Sequence, residues 1–206
     1  MKAIIVIIVV ALLLKKFLKL YKPMIKGNIG EIKVKFKLKF LPKQYKTIND
    51  VMLSNNKGKT VQIDHIVVGN NGVFVIEKKN YSGTICGGAD EVYWKQIFQK
   101  SSHDFYNPLF QNKGHIIELQ HKLKKLGHIP IYSVIVFGES CNLMLPDSIT
   151  NVIYMNDVRN YIKSYESELI IDNNSIEKII KLIKENNIKS LRNKRKHRIY
   201  VKQKYK

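Results

Sequence analysis

Two apolar, strand-like runs meet across Gly69-Asn70-Asn71-Gly72, and this pairing restricts the fold more than any other stretch of the chain. Val61 to Val68 leads in and Val73 to Lys79 leads out, with Asn and Gly at the tip to supply the positive φ angles of a short hairpin connection. If Gly69 and Gly72 close the turn, Val68 faces Val73, Ile66 faces Val75, Asp64 faces Glu77 and Gln62 faces Lys79. Period-two alternation then puts all eight side chains on one face of a sheet. Directly opposed Cβ atoms lie roughly 4.5–5.5 Å apart. Two carboxylates held that closely repel each other unless a cation lies between them.

A plainer reading is available, since solvent-facing strands often carry Glu-x-Lys. The apolar residues on both faces of both runs argue against it, because they describe interior strands where charges seldom sit unpaired. Two opposed carboxylates with Lys79 one pleat further along are the ingredients of a site that cuts phosphodiester bonds. His65 falls on the opposite face from Asp64 and reads as structural.

The charge balance points to the same class of partner. The chain of 206 residues carries 36 Lys+Arg against 16 Asp+Glu, a net charge of +20. Such a field favours polyanions, meaning nucleic acid or anionic lipid. Part of the lysine excess accompanies a general richness in Lys, Ile and Asn, as an AT-rich genome produces. Cys86 and Cys141 are too few for a disulfide framework and lack zinc-site spacing, which suits a reduced cytoplasmic setting.

Ala3 to Leu14 is unbroken apolar sequence, extended by Phe17, Leu18, Leu20 and Tyr21. The uninterrupted part spans roughly 18 Å as a helix, short of a ~30 Å hydrocarbon core. Lys15, Lys16 and Lys19 can snorkel to headgroups, so residues 1–21 read as a membrane anchor. A cleaved signal peptide would want small residues where Lys15-Lys16-Phe17 stands. Only Lys2 precedes the segment, whereas five lysines follow by Lys26, so the positive-inside rule puts the rest of the chain in the cytoplasm.

Along the body, Ile32, Val34, Phe36, Leu38 and Phe40 alternate with lysines, which by period alone favours a strand. Thr47 to Ser54 reads as a strand, and Ser82 to Gly88 as a Gly-rich connection leading to Trp94, a core residue or a base-stacking one. Asn107-Pro108 marks a helix start, with Ile116, Leu119, Leu123 and Leu126 as its buried stripe and Gly127 as its end. Gln111 and His115 share another face. Strands are predicted over Ile131 to Phe137 and Asn151 to Tyr154, and a helix over Asp157 to Tyr165. Ser175 is expected to cap a last helix with Ile176, Ile179, Ile180 and Ile183 inside. After Glu185 no acid remains, and the tail of Arg192, Lys194, Arg195, Lys196 and Arg198 suits nucleic-acid phosphates or an anionic leaflet.

In order along the chain come Gly30-Glu31, Leu41-Pro42, Tyr45, Ile48-Asn49-Asp50-Val51, Gln62-Ile63-Asp64-His65, and Val75-Ile76-Glu77-Lys78-Lys79-Asn80-Tyr81-Ser82-Gly83. Trp94, Asn107-Pro108-Leu109-Phe110-Gln111-Asn112 and His115 follow. This series resembles the nuclease-related domain (NERD), a branch of the PD-(D/E)xK, restriction-endonuclease-like superfamily. Lys78 stands where members often have Thr. The resemblance implies an α/β fold with a central mixed β-sheet flanked by helices, and it replaces the strand over Gly27 to Leu41 with a helix carrying Glu31 toward the site. It implies Asp64, Glu77 and Lys79 as the acid-acid-lysine core.

In that setting Asp64 and Glu77 are expected to hold Mg²⁺, with Mn²⁺ as a substitute, and Lys79 to orient or activate water or to offset negative charge. Glu31 would join a second metal or a metal-bound water, and Gln62 and Gln111 would contact phosphate or support the ligands. The expected organisation is an anchor over 1–21, a nuclease-like domain over 27–138, an α/β extension over 139–188 and a basic tail over 189–206. The expected function is a membrane-anchored, Mg²⁺-dependent nuclease acting on DNA. The alternative is a non-catalytic module binding nucleic acid or a protein partner at the membrane.

Overall fold

The computed structural model describes Lys15, residues 32–54 and residues 60–188. Residues 32–39 form a helix (α1), not a strand. Alternation misleads here because residues two apart lie nearly opposite one another on a helix. Val34 and Leu38 are buried on one side, while Ile32, Phe36 and Phe40 are exposed on the other. Of the helix over Gly27 to Leu41 implied by the resemblance, residues 32–39 are helical, and Phe40 and Leu41 form the turn that follows.

Among the described residues, nine strands follow in two sheets. The first contains β1 (Lys46–Ser54), β2 (Thr60–Gly69), β3 (Gly72–Lys79), β7 (Ile131–Phe137) and β9 (Val152–Tyr154), in the order β1-β2-β3-β7-β9. Its first three strands are antiparallel, and β3–β7 and β7–β9 are parallel, so the sheet is mixed. The second contains β4 (Gly83–Cys86), β5 (Tyr93–Phe98), β6 (Ser101–Tyr106) and β8 (Cys141–Met144), in the order β6-β5-β4-β8. Parallel β3 and β7 pass directly into parallel β4 and β8, which joins the sheets. Periodicity gave no sign of this second sheet, because its strands are short and largely solvent-facing.

Helices cover both faces of the first sheet. On one side α2 (Pro108–Leu123) and α4 (Asn173–Glu185) contribute Leu119, Leu123, Ile176, Ile179, Ile180 and Ile183 to a core with Ile66, Val68, Val73 and Val75. On the other, α1 and α3 (Val158–Ser164) pack Val34, Leu38, Val158 and Ile162 against Val67, Phe74, Ile76, Val134 and Val136. A third core around Trp94, Ile135 and Phe137 lies between the sheets. Trp94 is fully buried, its indole N–H donating to Gly88 O at 2.8 Å, in keeping with a core role. A Cβ on Gly87 would stand 2.2 Å from the Trp94 ring, so this loop can pass only as glycine.

Helix boundaries follow local chemistry. Asn107 caps α2 by accepting from Leu109 N–H at 2.8 Å, with proline behind it. A short 3₁₀ turn, Lys124–Leu126, ends at Gly127, whose φ is 79°. The cap of α4 is Asp172, not Ser175: its carboxylate accepts from both the N–H and the hydroxyl of Ser175. At the hairpin tip Gly69 pairs with Gly72 as expected, but Gly72 alone takes positive φ there, at 133°. Asn71 instead donates to Ile162 O and Tyr165 O, and Asn70 O accepts from Ile171 N–H, so tertiary hydrogen bonds hold the turn.

No helix among the described residues is long and apolar enough to cross a membrane. The anchor expected over residues 1–21, apart from Lys15, lies outside the described residues, as do Glu31 and the basic residues Arg192, Lys194, Arg195, Lys196 and Arg198.

Candidate active site

The C-terminal end of β3 carries Glu77 and Lys79 to the point where the chain leaves the first sheet for the second. Lys79 Nζ lies 2.9 Å from Glu77 Oε1, and both groups are almost wholly enclosed. Gln111, in the first turn of α2, accepts from Lys79 Nζ at 2.7 Å and donates to Glu77 Oε1 at 2.8 Å. The three side chains close a triangle that fixes all their rotamers. On the far side of Glu77, His115 Nδ1 lies 3.5 Å from Oε2. Gln111 and His115 are one helical turn apart, so the shared face read from the sequence is the face that meets Glu77.

The position of α2 is itself built in. Asn112, fully buried, donates to Val75 O and to Ser133 Oγ, each at 2.8 Å, pinning the helix across β3 and β7 two residues before Glu77. Asn107 donates to Glu91 O at 2.7 Å and ties the helix start to the loop before β5. Asn112 stands in the run Asn107-Pro108-Leu109-Phe110-Gln111-Asn112, but the sequence assigned it no role; the physical signal was a polar residue in register with the buried positions of an amphipathic helix.

Asp64 joins from β2. The β2–β3 pairing follows the expected register from Gly69–Gly72 to His65–Ile76 and then stops. One step beyond, Asp64 Oδ2 accepts the Lys78 backbone N–H at 3.0 Å. Burial, then the charge of Glu77, pushes the Asp64 carboxyl up to about 7 from 3.8, against the pull of that N–H and of Lys79 and Lys78. Burial opposes the Lys79 ammonium, but the Glu77 carboxylate more than compensates, and its pKa is raised.

Gln62 does not face Lys79. The ladder ends before that pair, and the Gln62 amide donates to Asp50 Oδ1 at 2.9 Å. Asp50 sits across from Asp64, at the one position where the β1–β2 ladder skips a pair, and has φ of 55°. It is the only non-glycine with positive φ among the described residues. Such backbone strain concentrates at functional sites. His65 is fully buried, with Nδ1 2.7 Å from Asn49 Oδ1; burial, then Lys78 and Lys35, lowers it to about 4.

The family model for the nuclease-related domain matches residues 26–138. The chain belongs to the NERD family. Its general kind is the restriction-endonuclease-like superfamily, whose mixed sheet with flanking helices is the architecture seen here. The chain is also similar to an uncharacterized protein of Bacillus anthracis, 34% identical over 205 residues, covering 97% of this chain and 95% of that protein.

Oxygen donors from Asp64 and Glu77 suit a hard divalent cation, which binds through one or two carboxylates and retains water. Burial first, and the charge of Glu77 second, disfavour the ionised Asp64 carboxylate, a cost that a divalent cation would offset. The donor set therefore fits Mg²⁺. Among the described residues no cluster of three or more His, Cys, Asp or Glu forms a metal cage.

Proposed function

We propose that this chain is a membrane-anchored, Mg²⁺-dependent nuclease hydrolysing phosphodiester bonds in DNA. The observation carrying the reading is the enclosed Glu77–Lys79–Gln111 triangle with Asp64 at its margin. A scaffold has no need for two coupled carboxylates beside a cation held in one rotamer. Substrate attraction follows from the net charge of +20 and the basic tail, and the membrane placement from the apolar run Ala3 to Leu14. The anchor would cross once, with the C-terminal domain in the cytoplasm.

Bound Mg²⁺, held by Asp64 and Glu77 with Mn²⁺ as a substitute, would supply Lewis acidity at the scissile phosphate. Lys79 contributes a permanent positive charge that offsets the charge developing on phosphate oxygens. Gln111 holds that ammonium by accepting from it, and keeps the Glu77 carboxylate turned the same way. Pre-set geometry of this kind removes reorganisation from the reaction step. Gln62, acting through Asp50, supports the strand carrying Asp64, and Glu31 is the remaining candidate ligand.

The test incubates the full-length chain in mild detergent with plasmid and linear DNA in Mg²⁺, Mn²⁺ or EDTA. Metal-dependent cutting that is lost in both Asp64→Ala and Lys79→Ala is the expected result. Cutting that survives both changes would remove the site from the mechanism. Salt-sensitive DNA binding without cutting under any metal would establish the non-catalytic module instead.

A further inference from the structure

The outer face of α1 serves neither core nor site. Ile32, Phe36 and Phe40 form a stripe at four-residue spacing that is 65%, 61% and 53% exposed, with the two phenyl rings 4.9 Å apart. Lys33 and Lys37 run along one flank of this stripe, and Lys35 and Lys39 along the other. From Ile32 to Asn49 the chain holds six lysines and no acidic residue. Three large apolar side chains with cations on both flanks are the pattern of a helix lying in a bilayer interface. Contiguous exposed apolar surface of this kind marks a docking face.

Beside the stripe, a groove of about 930 Å³ runs between α1 and the start of α3. Arg159 lines it, with its guanidinium 6.0 Å from the centre of the Phe40 ring. Its Nε is enclosed and has no hydrogen-bond partner among the described residues. Glu139, the one acid among the groove-lining residues, has a carboxylate oxygen accepting from Asn156 N–H at 2.8 Å. The groove thus pairs an unsatisfied guanidinium donor and Lys37 with a phenyl wall.

We infer that this face of α1, with the Arg159 groove, is a docking site for an anionic phospholipid surface. Phe36 and Phe40 enter the headgroup–acyl boundary, while Lys33, Lys35, Lys37 and Lys39 meet the headgroups around them. Arg159 takes a lipid phosphate. Charge complementarity selects the lipid, and the phenyl stripe distinguishes it from nucleic acid, which would satisfy the lysines but leave the rings in water. Chain continuity places a bilayer within reach, because only residues 15–31 separate the stripe from the apolar run. The inference rests on the membrane placement proposed above and adds a second, lipid-selective contact that sets the orientation of the domain.

The experiment reconstitutes the full chain into phosphatidylcholine vesicles with or without phosphatidylglycerol, each containing acyl-brominated lipid as a quencher. Phe36→Trp reports on α1 and, separately, Val9→Trp on the anchor; buried Trp94 is a constant background. Expected is quenching of Phe36→Trp in phosphatidylglycerol vesicles only, with Val9→Trp quenched in both. Adding Lys37→Gln and Arg159→Gln should shift the docked equilibrium by roughly thirty-fold toward release, at about one charge's worth of lipid attraction each. Unquenched Phe36→Trp with quenched Val9→Trp overturns the docking site and leaves the anchor standing. Quenched Phe36→Trp with unquenched Val9→Trp upholds the site and removes the anchor. Emission from Phe36→Trp that is already apolar without lipid would mean that the chain's own N-terminal segment or a second copy covers the face, and overturns the inference.

Discussion

Replacing Asp64 with Asn should stabilise the metal-free protein, by an amount that grows with pH. The Asp64 carboxyl is raised from 3.8 to about 7 by burial and by Glu77. An acid raised in the folded state contributes stability that is fully present below its unfolded pKa and is lost as pH rises through the folded value. Each unit is worth about 1.36 kcal/mol, so the ionised form costs up to about 4 kcal/mol above pH 8 and about 1.6 kcal/mol at pH 5. Asn can keep the bond from the Lys78 N–H, and any cost of its own amide does not vary with pH. Solvent reaching the partly buried carboxylate screens part of the effect. The difference between variant and wild type should therefore widen by about 2–3 kcal/mol between pH 5 and pH 8.5. Urea titrations of the full chain in non-ionic detergent with EDTA measure it. Saturating Mg²⁺ should flatten the wild-type pH dependence and leave the variant unchanged. Parallel stability curves for the two proteins from pH 5 to 8.5 would refute the electrostatic account of the pair.

Lys79→Met leaves Glu77 enclosed without its cation, and should cost about 3–5 kcal/mol in the same titrations, along with any nuclease activity. Gln111→Ala should instead lower the rate while costing only about 1–3 kcal/mol, because Lys79 and Glu77 still pair directly. Gly87→Ala drives a methyl into the Trp94 ring and should lower stability by about 1–3 kcal/mol, visible as a shift in Trp94 fluorescence unfolding. His65, lowered to about 4, contributes stability that is fully present above its unfolded pKa of 6.5 and is lost as pH falls toward 4. In the Asp64→Asn background, His65→Gln should flatten that acid limb; an unchanged limb would assign it to other groups.

Short-range rules in the sequence determined the hairpin register, the Asn107 cap, the Gly127 stop and the apolar stripe of α4. Each depends on a period of two or 3.6, or on one residue's φ preference, and these act over a few residues. The register, observed from Gly69–Gly72 to His65–Ile76, brings Asp64 one step beyond its end beside β3, and helical spacing brings Gln111 together with His115. Tertiary structure decided the rest. α1 is a helix because the sheet offers Val34 and Leu38 a face to bury, which periodicity could not foretell when alternate residues are apolar all along. The hairpin tip takes its shape from Asn71 bonding to α3 rather than from intrinsic turn preference. Gln62 donates to Asp50 where the β1–β2 ladder skips one pair without changing register. The site itself required a helix more than thirty residues downstream to deliver Gln111 to Glu77 and Lys79. Such contacts form only when distant elements pack, because burial makes the hydrogen bonds between them strong enough to select one arrangement.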